Sequence, residues 1–182
     1  MPSKKQSNTT PSRKRRKYHY FLDRNLGRLI FPGLLRDAGL LATAQDDTEE
    51  FSQAERDPWM FYLCGKRRDV IVTTDGAFRK PFPHMAAIAL GDSIVLTFTN
   101  NCYNAERRAT AFLTALEKIE IELQKRSRRK QRSFIGIIGI TGTFRVAEEK
   151  PLPHRKLCDP LDWESYKRVC DQEGVLAFMP EQ

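Results

Sequence analysis

Short apolar runs alternate along this chain with longer segments in which apolar residues recur at helical spacing. The short runs are rich in aromatic or β-branched residues and predict buried strands over residues 18–22, 40–44, 69–74 and 93–99. The longer segments predict helices over residues 30–38, 59–66, 85–90 and 105–124. This alternating order predicts an α/β fold, a three-layer α/β/α sandwich around a mainly parallel central sheet with right-handed crossovers.

The last part of this pattern predicts one further strand and no further crossover. Residues 134–146 form an apolar segment interrupted by Gly136, Gly139 and Gly142, which weaken a strand. No helix follows, so we expect a single edge strand. The glycines lack the spacing and the following helix of a phosphate-binding loop.

The two ends of the chain differ from the middle. Residues 1–17 contain no acidic or aromatic residue and predict a disordered basic N-terminal arm. Residues 147–182 are rich in proline and predict one short helix over 163–172, in a segment appended to the domain surface. We therefore divide the chain into an arm over 1–17, a domain over 18–146 and a C-terminal segment over 147–182.

Positive charge changes the expected partners. The chain carries 31 Lys and Arg against 23 Asp and Glu, and the excess is concentrated in residues 13–17 and 125–132. Such clusters attract polyanions, most commonly nucleic acid. Two other interpretations stay open: a solvated arm that aids solubility, and a targeting signal in the N-terminal block.

Hydropathy and cysteine content favour a cytoplasmic protein with no membrane partner. The longest apolar stretch is too short to span a bilayer, and no secretory signal opens the chain. The four cysteines form no close C-x-x-C pair and are expected to be reduced thiols. His154, Cys158 and Cys170 match no usual zinc-finger spacing, so we expect them to be ordinary residues.

Candidate chemistry lies where two predicted strands end in aspartate. Asp23 follows one strand, Asp75 follows another, and Asp57 begins the helix that precedes the second. Parallel strands end at a common edge, where open α/β folds bind ligands. Carboxylates gathered there repel one another unless a cation lies between them, and oxygen ligands suit Mg²⁺ or Mn²⁺. Such an ion commonly activates a water for phosphate-ester hydrolysis, so we expect these three aspartates to be catalytic metal ligands.

Each aspartate also has a structural interpretation. An aspartate after a strand often caps a helix or a turn, and Asp-Pro at positions 57 and 58 is itself a capping signature. The acidic residues 46–50 are expected to form a solvated loop, from which one could serve as an extra ligand. Thr74 is a candidate to steady a carboxylate or a water through its hydroxyl.

The motif Phe-Leu-Asp-Arg-Asn-Leu-Gly over residues 21–27, followed by Asp-Pro-Trp at 57–59 and Thr-Thr-Asp at 73–75, resembles the PIN-like domain family. The likeness is greatest to the branch related to VapC-type toxin ribonucleases and covers roughly residues 18–146. It implies a Mg²⁺- or Mn²⁺-dependent ribonuclease acting as the toxin of a toxin–antitoxin pair, with Asp23, Asp57 and Asp75 as metal ligands. RNA is the implied partner, while an antitoxin protein and a homodimer stay open.

The basic and polar residues near these motifs then gain an expected role as contacts to RNA phosphates. The candidate substrate-binding residues are Arg24, Asn25, Thr74, Arg79, Lys80, Arg128, Arg129 and Lys130.

One departure from the family pattern favours a different function. Many PIN domains carry a further acid after the fourth strand, where this chain has Asn100 and Asn101. The alternative is therefore a catalytically silent PIN-like module that binds nucleic acid or a protein partner. A phosphotransferase with Asp23 as nucleophile is disfavoured, because that chemistry would require an acid in place of Asn25.

Overall fold

The computed structural model describes residues 18–51, 57–79, 82–99, 104–129 and 132–148. The predicted N-terminal arm and all but the first residues of the predicted C-terminal segment lie outside these ranges. So do Lys80, Asn100, Asn101 and Lys130, and the side chain of Asp57.

The described residues form an α/β domain whose elements follow the predicted order. The strands are β1 (His19–Leu22), β2 (Leu41–Ala44), β3 (Val70–Thr73), β4 (Ile94–Phe98), β5 (Phe134–Ile138) and β6 (Phe144–Glu148). The helices are α1 (Ile30–Asp37), α2 (Asp57–Arg67), α3 (Phe82–Gly91) and α4 (Ala105–Arg126). Within the described ranges, no helix combines the length and apolar character needed to cross a membrane.

The strands form one six-stranded sheet in the order β2-β1-β3-β4-β5-β6. The first five strands are parallel, and β6 pairs antiparallel with β5. The mainly parallel sheet is therefore confirmed. Strand β1 is followed by β2 on one side, and the chain then returns to place β3 on the other side. The point between β1 and β3 is thus a topological switch point, where the crevice for a ligand opens in this class of sheet.

Alternate residues of each strand face two separate hydrophobic clusters. Helices α1 and α4 pack over the cluster that contains Leu22, Val72 and Leu96. Helices α2 and α3 pack over the cluster that contains Phe21 and Ile71. Because neighbouring strand residues point to opposite faces, the sheet is covered by helices on both sides, and its strands read as continuous apolar runs.

One crossover differs in hand from the other three. From β1 to β2 the chain moves in one direction across the sheet, and α1 covers one face. From β2 to β3 and from β3 to β4 it moves in the opposite direction, and α2 and α3 cover the other face. These three crossovers share a hand. The β4–α4–β5 crossover continues in the direction of α3, but α4 lies on the face of α1, so its hand is reversed. Because about 98% of such crossovers are right-handed, we assign the left-handed one to α4, which corrects the expectation of uniform right-handedness.

The expected single edge strand over residues 134–146 is wrong, because the segment forms a hairpin. Its first half, β5, lies inside the sheet between β4 and β6, and only β6 is at the edge. The turn passes through Gly142, whose φ of +75° favours glycine. Gly136 leaves room for the Phe144 ring, since a Cβ there would lie 2.6 Å from Cε2 of that ring. These glycines therefore make the turn and the close packing of the hairpin.

Candidate metal centre at the carboxyl edge of the sheet

Asp23 emerges directly from the end of β1 and is nearly buried. Its backbone N–H donates to the carbonyl of Val72 at 2.9 Å, which continues the pairing with β3. Its exposed fraction is 7%. Asp23 stands at the N-cap of a short 3₁₀ turn, but its side chain makes no capping hydrogen bond. Simple capping therefore does not explain this carboxylate.

A buried threonine joins the Asp23 carboxylate to the loop after β3. The hydroxyl of Thr73, the last residue of β3, donates to Oδ2 of Asp23 at 2.5 Å. The same Oδ2 accepts from the Asn25 side-chain amide at 3.1 Å. The Thr73 hydroxyl in turn accepts from the backbone N–H of Asp75 at 3.0 Å. One hydroxyl thus fixes the orientation of one predicted ligand and the backbone position of the other.

Thr73 was missed by sequence reasoning, which selected its neighbour Thr74. The register of the sheet distinguishes the two threonines: β1 pairs with β3 so that Leu22 lies beside Val72. That register puts the residue after Leu22 beside the residue after Val72, namely Asp23 beside Thr73. Thr74 is buried at the same edge. The signal was the pairing register, which no local pattern in the sequence contains.

Asp75 has a structural role of its own. Its Oδ1 accepts from the backbone N–H of Ala77 at 2.7 Å, which closes an Asx turn into the 3₁₀ segment Ala77–Arg79. The side chain is half-buried, and within the described part of the chain its Oδ2 accepts no hydrogen bond. The carboxylate therefore shapes the loop through one oxygen, and its other oxygen has no hydrogen-bond partner among the described residues.

The third predicted ligand, Asp57, is described only through its backbone. It is the first residue of α2, which begins at the carboxyl edge because it follows β2 and leads into the amino end of β3. The helix start predicted from Asp-Pro is confirmed. Among the side chains that the structure describes, no group of three or more His, Cys, Asp or Glu residues could hold a metal ion. The described carboxylates at the switch point are those of Asp23 and Asp75.

Basic and amide groups flank this pair of carboxylates. Arg24 and Asn25 follow Asp23, and Arg79 lies two residues after Ala77. Both Asn25 and Arg79 are exposed, and Arg24 is half-buried. Four of the predicted substrate contacts, Arg24, Asn25, Thr74 and Arg79, therefore share the edge of the sheet that carries the aspartates.

The second basic block lies at the other edge. Helix α4 leaves the carboxyl end of β4 and returns to the amino end of β5, so Arg128 and Arg129 follow it at the amino edge. A helix of 22 residues is roughly 33 Å long. The structure thus does not bring Arg128 and Arg129 to the aspartates.

The acidic loop after β2 contributes packing and ion pairs at the carboxyl edge. Gln45 is buried, and its side-chain oxygen accepts from the backbone N–H of Arg24 at 3.3 Å. Asp47 pairs with Arg28 at 2.9 Å and with Arg36 at 3.1 Å. Hydrogen bonds from Arg28 and then Arg36 lower the pKa of the Asp47 carboxyl. Asp47 is therefore engaged by arginines on the surface.

The donor set at the switch point fits a small hard cation. Mg²⁺ keeps several waters and is commonly held by one or two carboxylates together with substrate phosphate. Asp23 and Asp75 offer carboxylates of this kind: the Thr73 hydroxyl and the Asn25 amide orient that of Asp23, and the N–H of Ala77 orients that of Asp75. Such supporting hydrogen bonds orient metal ligands in general. In such a site, waters and a phosphate-containing ligand would complete the shell of the ion.

Comparison of the chain with protein-family models, with curated proteins and with solved structures finds no match.

Proposed function

We propose that this protein is a metal-dependent ribonuclease, an endonuclease that hydrolyses RNA phosphodiester bonds at the carboxyl edge of the sheet. The observation that carries the proposal is the Asp23–Thr73–Asp75 connection at the switch point between β1 and β3. Ligand sites in open α/β sheets occupy this position. A nearly buried aspartate that caps no helix, oriented by two donors, is difficult to explain by folding alone.

The family proposed for the chain is the PIN-like family, with a three-layer sandwich and a basic N-terminal arm. Support comes from the sequence motifs around Asp23 and Asp75 and from the mainly parallel sheet covered by helices on both faces. On this proposal the protein acts in the cytoplasm as the toxin of a toxin–antitoxin pair, and an antitoxin protein would be its partner.

Asp23 and Asp75 would hold the Mg²⁺ or Mn²⁺ ion, with Asp57 as a further ligand from the start of α2. When bound, the ion supplies charge neutralisation at the phosphate and activation of a water. Side chains of the protein position the metal ligand and the substrate phosphate. Thr73 and Asn25 orient the Asp23 carboxylate, while Arg24 and Arg79 place positive charge beside the substrate phosphate.

The test is cleavage of a mixed RNA pool, with and without Mn²⁺, by the parent protein and by the variants Asp23→Asn and Asp75→Asn. We expect metal-dependent cleavage to fall to background in both variants while circular dichroism shows an intact fold. Asp37→Asn, at an exposed aspartate that ends α1, is the matched control and should cleave as the parent does. Equal cleavage by parent and both site variants would overturn the proposal.

A second candidate function is a catalytically silent module that binds RNA. Two features favour it: the Asp75 carboxylate closes a turn, and the chain has Asn100 and Asn101 where many PIN domains carry a further acid. RNA binding that persists in EDTA, with no turnover in Mn²⁺, would support this module over the nuclease.

A further inference from the structure

A cavity of about 310 Å³ opens at the amino edge of the sheet, on the side away from the aspartates. Its apolar wall includes Val70, Ile94 and Leu123, and Tyr18 lies beside them. Arg67, Arg68 and Arg132 also line it. The volume is at the lower end of the range for ligand pockets, roughly 300–1,000 Å³. An apolar wall with guanidinium groups around it suits a ligand that carries both an aromatic base and a phosphate.

Several acidic groups at this edge are engaged within the protein. Asp69 pairs with His19 at 2.8 Å. Glu122 pairs with Arg126 at 2.8 Å. Asp92 accepts from the Nε of Arg132 at 3.0 Å. The Glu122–Arg126 and Asp92–Arg132 ion pairs each neutralise one arginine, and other arginines at this edge remain in excess.

Three arginines at this edge form no such pair. Within the described part of the chain, the side chains of Arg68, Arg128 and Arg129 make no hydrogen bond or ion pair, and all three are exposed. Arg128 and Arg129 directly follow Ser127, which lines the cavity. Unpaired guanidinium groups around a cavity concentrate positive potential at that point.

The backbone of Arg68 provides an independent observation. Arg68 follows α2 with a φ of +67°, a conformation that non-glycine residues adopt in only a few per cent of cases. The N–H of Asp69 bonds to the carbonyl of Cys64 at 2.9 Å, which is the helix-ending motif that favours glycine at this position. Interaction with the helix dipole explains Lys66 and Arg67 in the last turn, but it does not require a non-glycine residue after the helix.

The end of α3 carries a second non-glycine residue with a positive φ, and there the side chain has a clear role. Asp92 has a φ of +55° and the same type of helix-ending hydrogen bonds. Its carboxylate accepts from the backbone N–H groups of Arg132 and Ser133 at 2.6 and 2.8 Å. At Asp92 an unfavourable backbone conformation places a side chain that holds another segment. At Arg68 the same conformation places a guanidinium group at the cavity, with no partner among the described residues.

We propose that the amino-edge cavity binds the phosphate backbone of single-stranded RNA, with Arg68 as a phosphate contact. This site lies at the opposite edge from Asp23 and Asp75 and is a second, non-catalytic anchor for RNA. It rests on the proposed function only in the choice of RNA as the polyanion. Arg128 and Arg129, which the sequence placed among the RNA contacts, belong to this anchor by position.

The experiment measures binding of a fluorescently labelled single-stranded RNA to the full chain by anisotropy, in EDTA, across a series of salt concentrations. Arg68→Gly removes the guanidinium and introduces the residue that the backbone favours, so the fold is not at risk. We expect weaker binding whatever the RNA sequence, with the slope of log affinity against log salt reduced by about 0.7, the value for one phosphate contact on a single strand.

Lys118→Ala is the matched control, because it removes one positive charge from an exposed position on α4, outside the residues that line the cavity. It should keep the parent's affinity and slope. A folded Arg68→Gly variant with the parent's slope would overturn the proposal, as would an equal loss in Lys118→Ala. Because the measurement is made in EDTA and reads binding alone, failure of the catalytic proposal leaves this test unaffected.

Discussion

At the scale of single residues, the candidate site depends on one hydroxyl group. The Thr73 hydroxyl donates to Asp23 and accepts from the N–H of Asp75, and it is 1% exposed. The placement of Asp23 and Asp75 at strand ends could be predicted from composition and turn signals. Their connection could not, because it depends on which residue of β3 stands beside Asp23 in the sheet.

We expect Thr73→Val to lower the free energy of unfolding by about 1–3 kcal/mol, because a buried carboxylate oxygen and a backbone N–H each lose a partner. Thr73→Ser keeps the hydroxyl and loses only a methyl group, at about 0.8 kcal/mol. Urea unfolding of both variants measures the difference. If valine is tolerated as well as serine, the hydroxyl does not support the site.

At the scale of elements, the hairpin β5–β6 shows that packing decides whether a glycine weakens or supports a strand. Gly136 reads in the sequence as a weakness in a strand. In the sheet it lies under Phe144 and against Leu96, so the missing side chain allows β6 to pack closely. Gly33 in α1 differs, since an added Cβ would have no neighbour within 4 Å.

Substitution of these two glycines by alanine should change the stability of the protein in opposite directions. Gly136→Ala should destabilise the protein by about 1–3 kcal/mol, because the new methyl group would lie 2.6 Å from the Phe144 ring and 2.8 Å from a Leu96 methyl. Gly33→Ala should stabilise α1 by about 0.5–1 kcal/mol. Midpoints of thermal unfolding measure both. A neutral result for Gly136→Ala would contradict the packing described for the hairpin.

At the scale of the whole molecule, the two edges of the sheet have different chemistry. The carboxyl edge carries Asp23 and Asp75 at the switch point. The amino edge carries the basic end of α4 and Arg68. This separation follows from the parallel strands, because every crossover helix begins at one edge and ends at the other. The reversed crossover through α4 changes the face on which that helix lies and leaves its direction unchanged.

Metal binding at the carboxyl edge should stabilise the whole domain. A ligand at one hundred times its Kd adds about 2.7 kcal/mol to the free energy of unfolding when it binds only the folded state. We therefore expect Mn²⁺ to raise the Tm of the parent and of Asp37→Asn, and to leave Asp23→Asn unchanged in differential scanning fluorimetry. An equal rise in all three proteins would place the metal elsewhere.

Local patterns in the chain were sufficient for the order of elements, the α/β class and the aspartates at two strand ends. The apolar runs are continuous because both faces of the sheet are buried, and helix starts such as Asp57-Pro58 are encoded within a few residues. Residues 134–146 were misread because a hairpin and an interrupted strand share the same local pattern.

By itself, the sequence determined which segments up to α4 form strands and helices and which polar residues follow the strands, since these depend on neighbours along the chain. Only the tertiary structure decided the strand order, the hand of the α4 crossover, the choice of Thr73 over Thr74 and the separation of Arg128 and Arg129 from Asp23. The reason is physical: strand pairing and register join residues far apart in the chain, and the free energy that selects one pairing comes from burial of both faces of the sheet together.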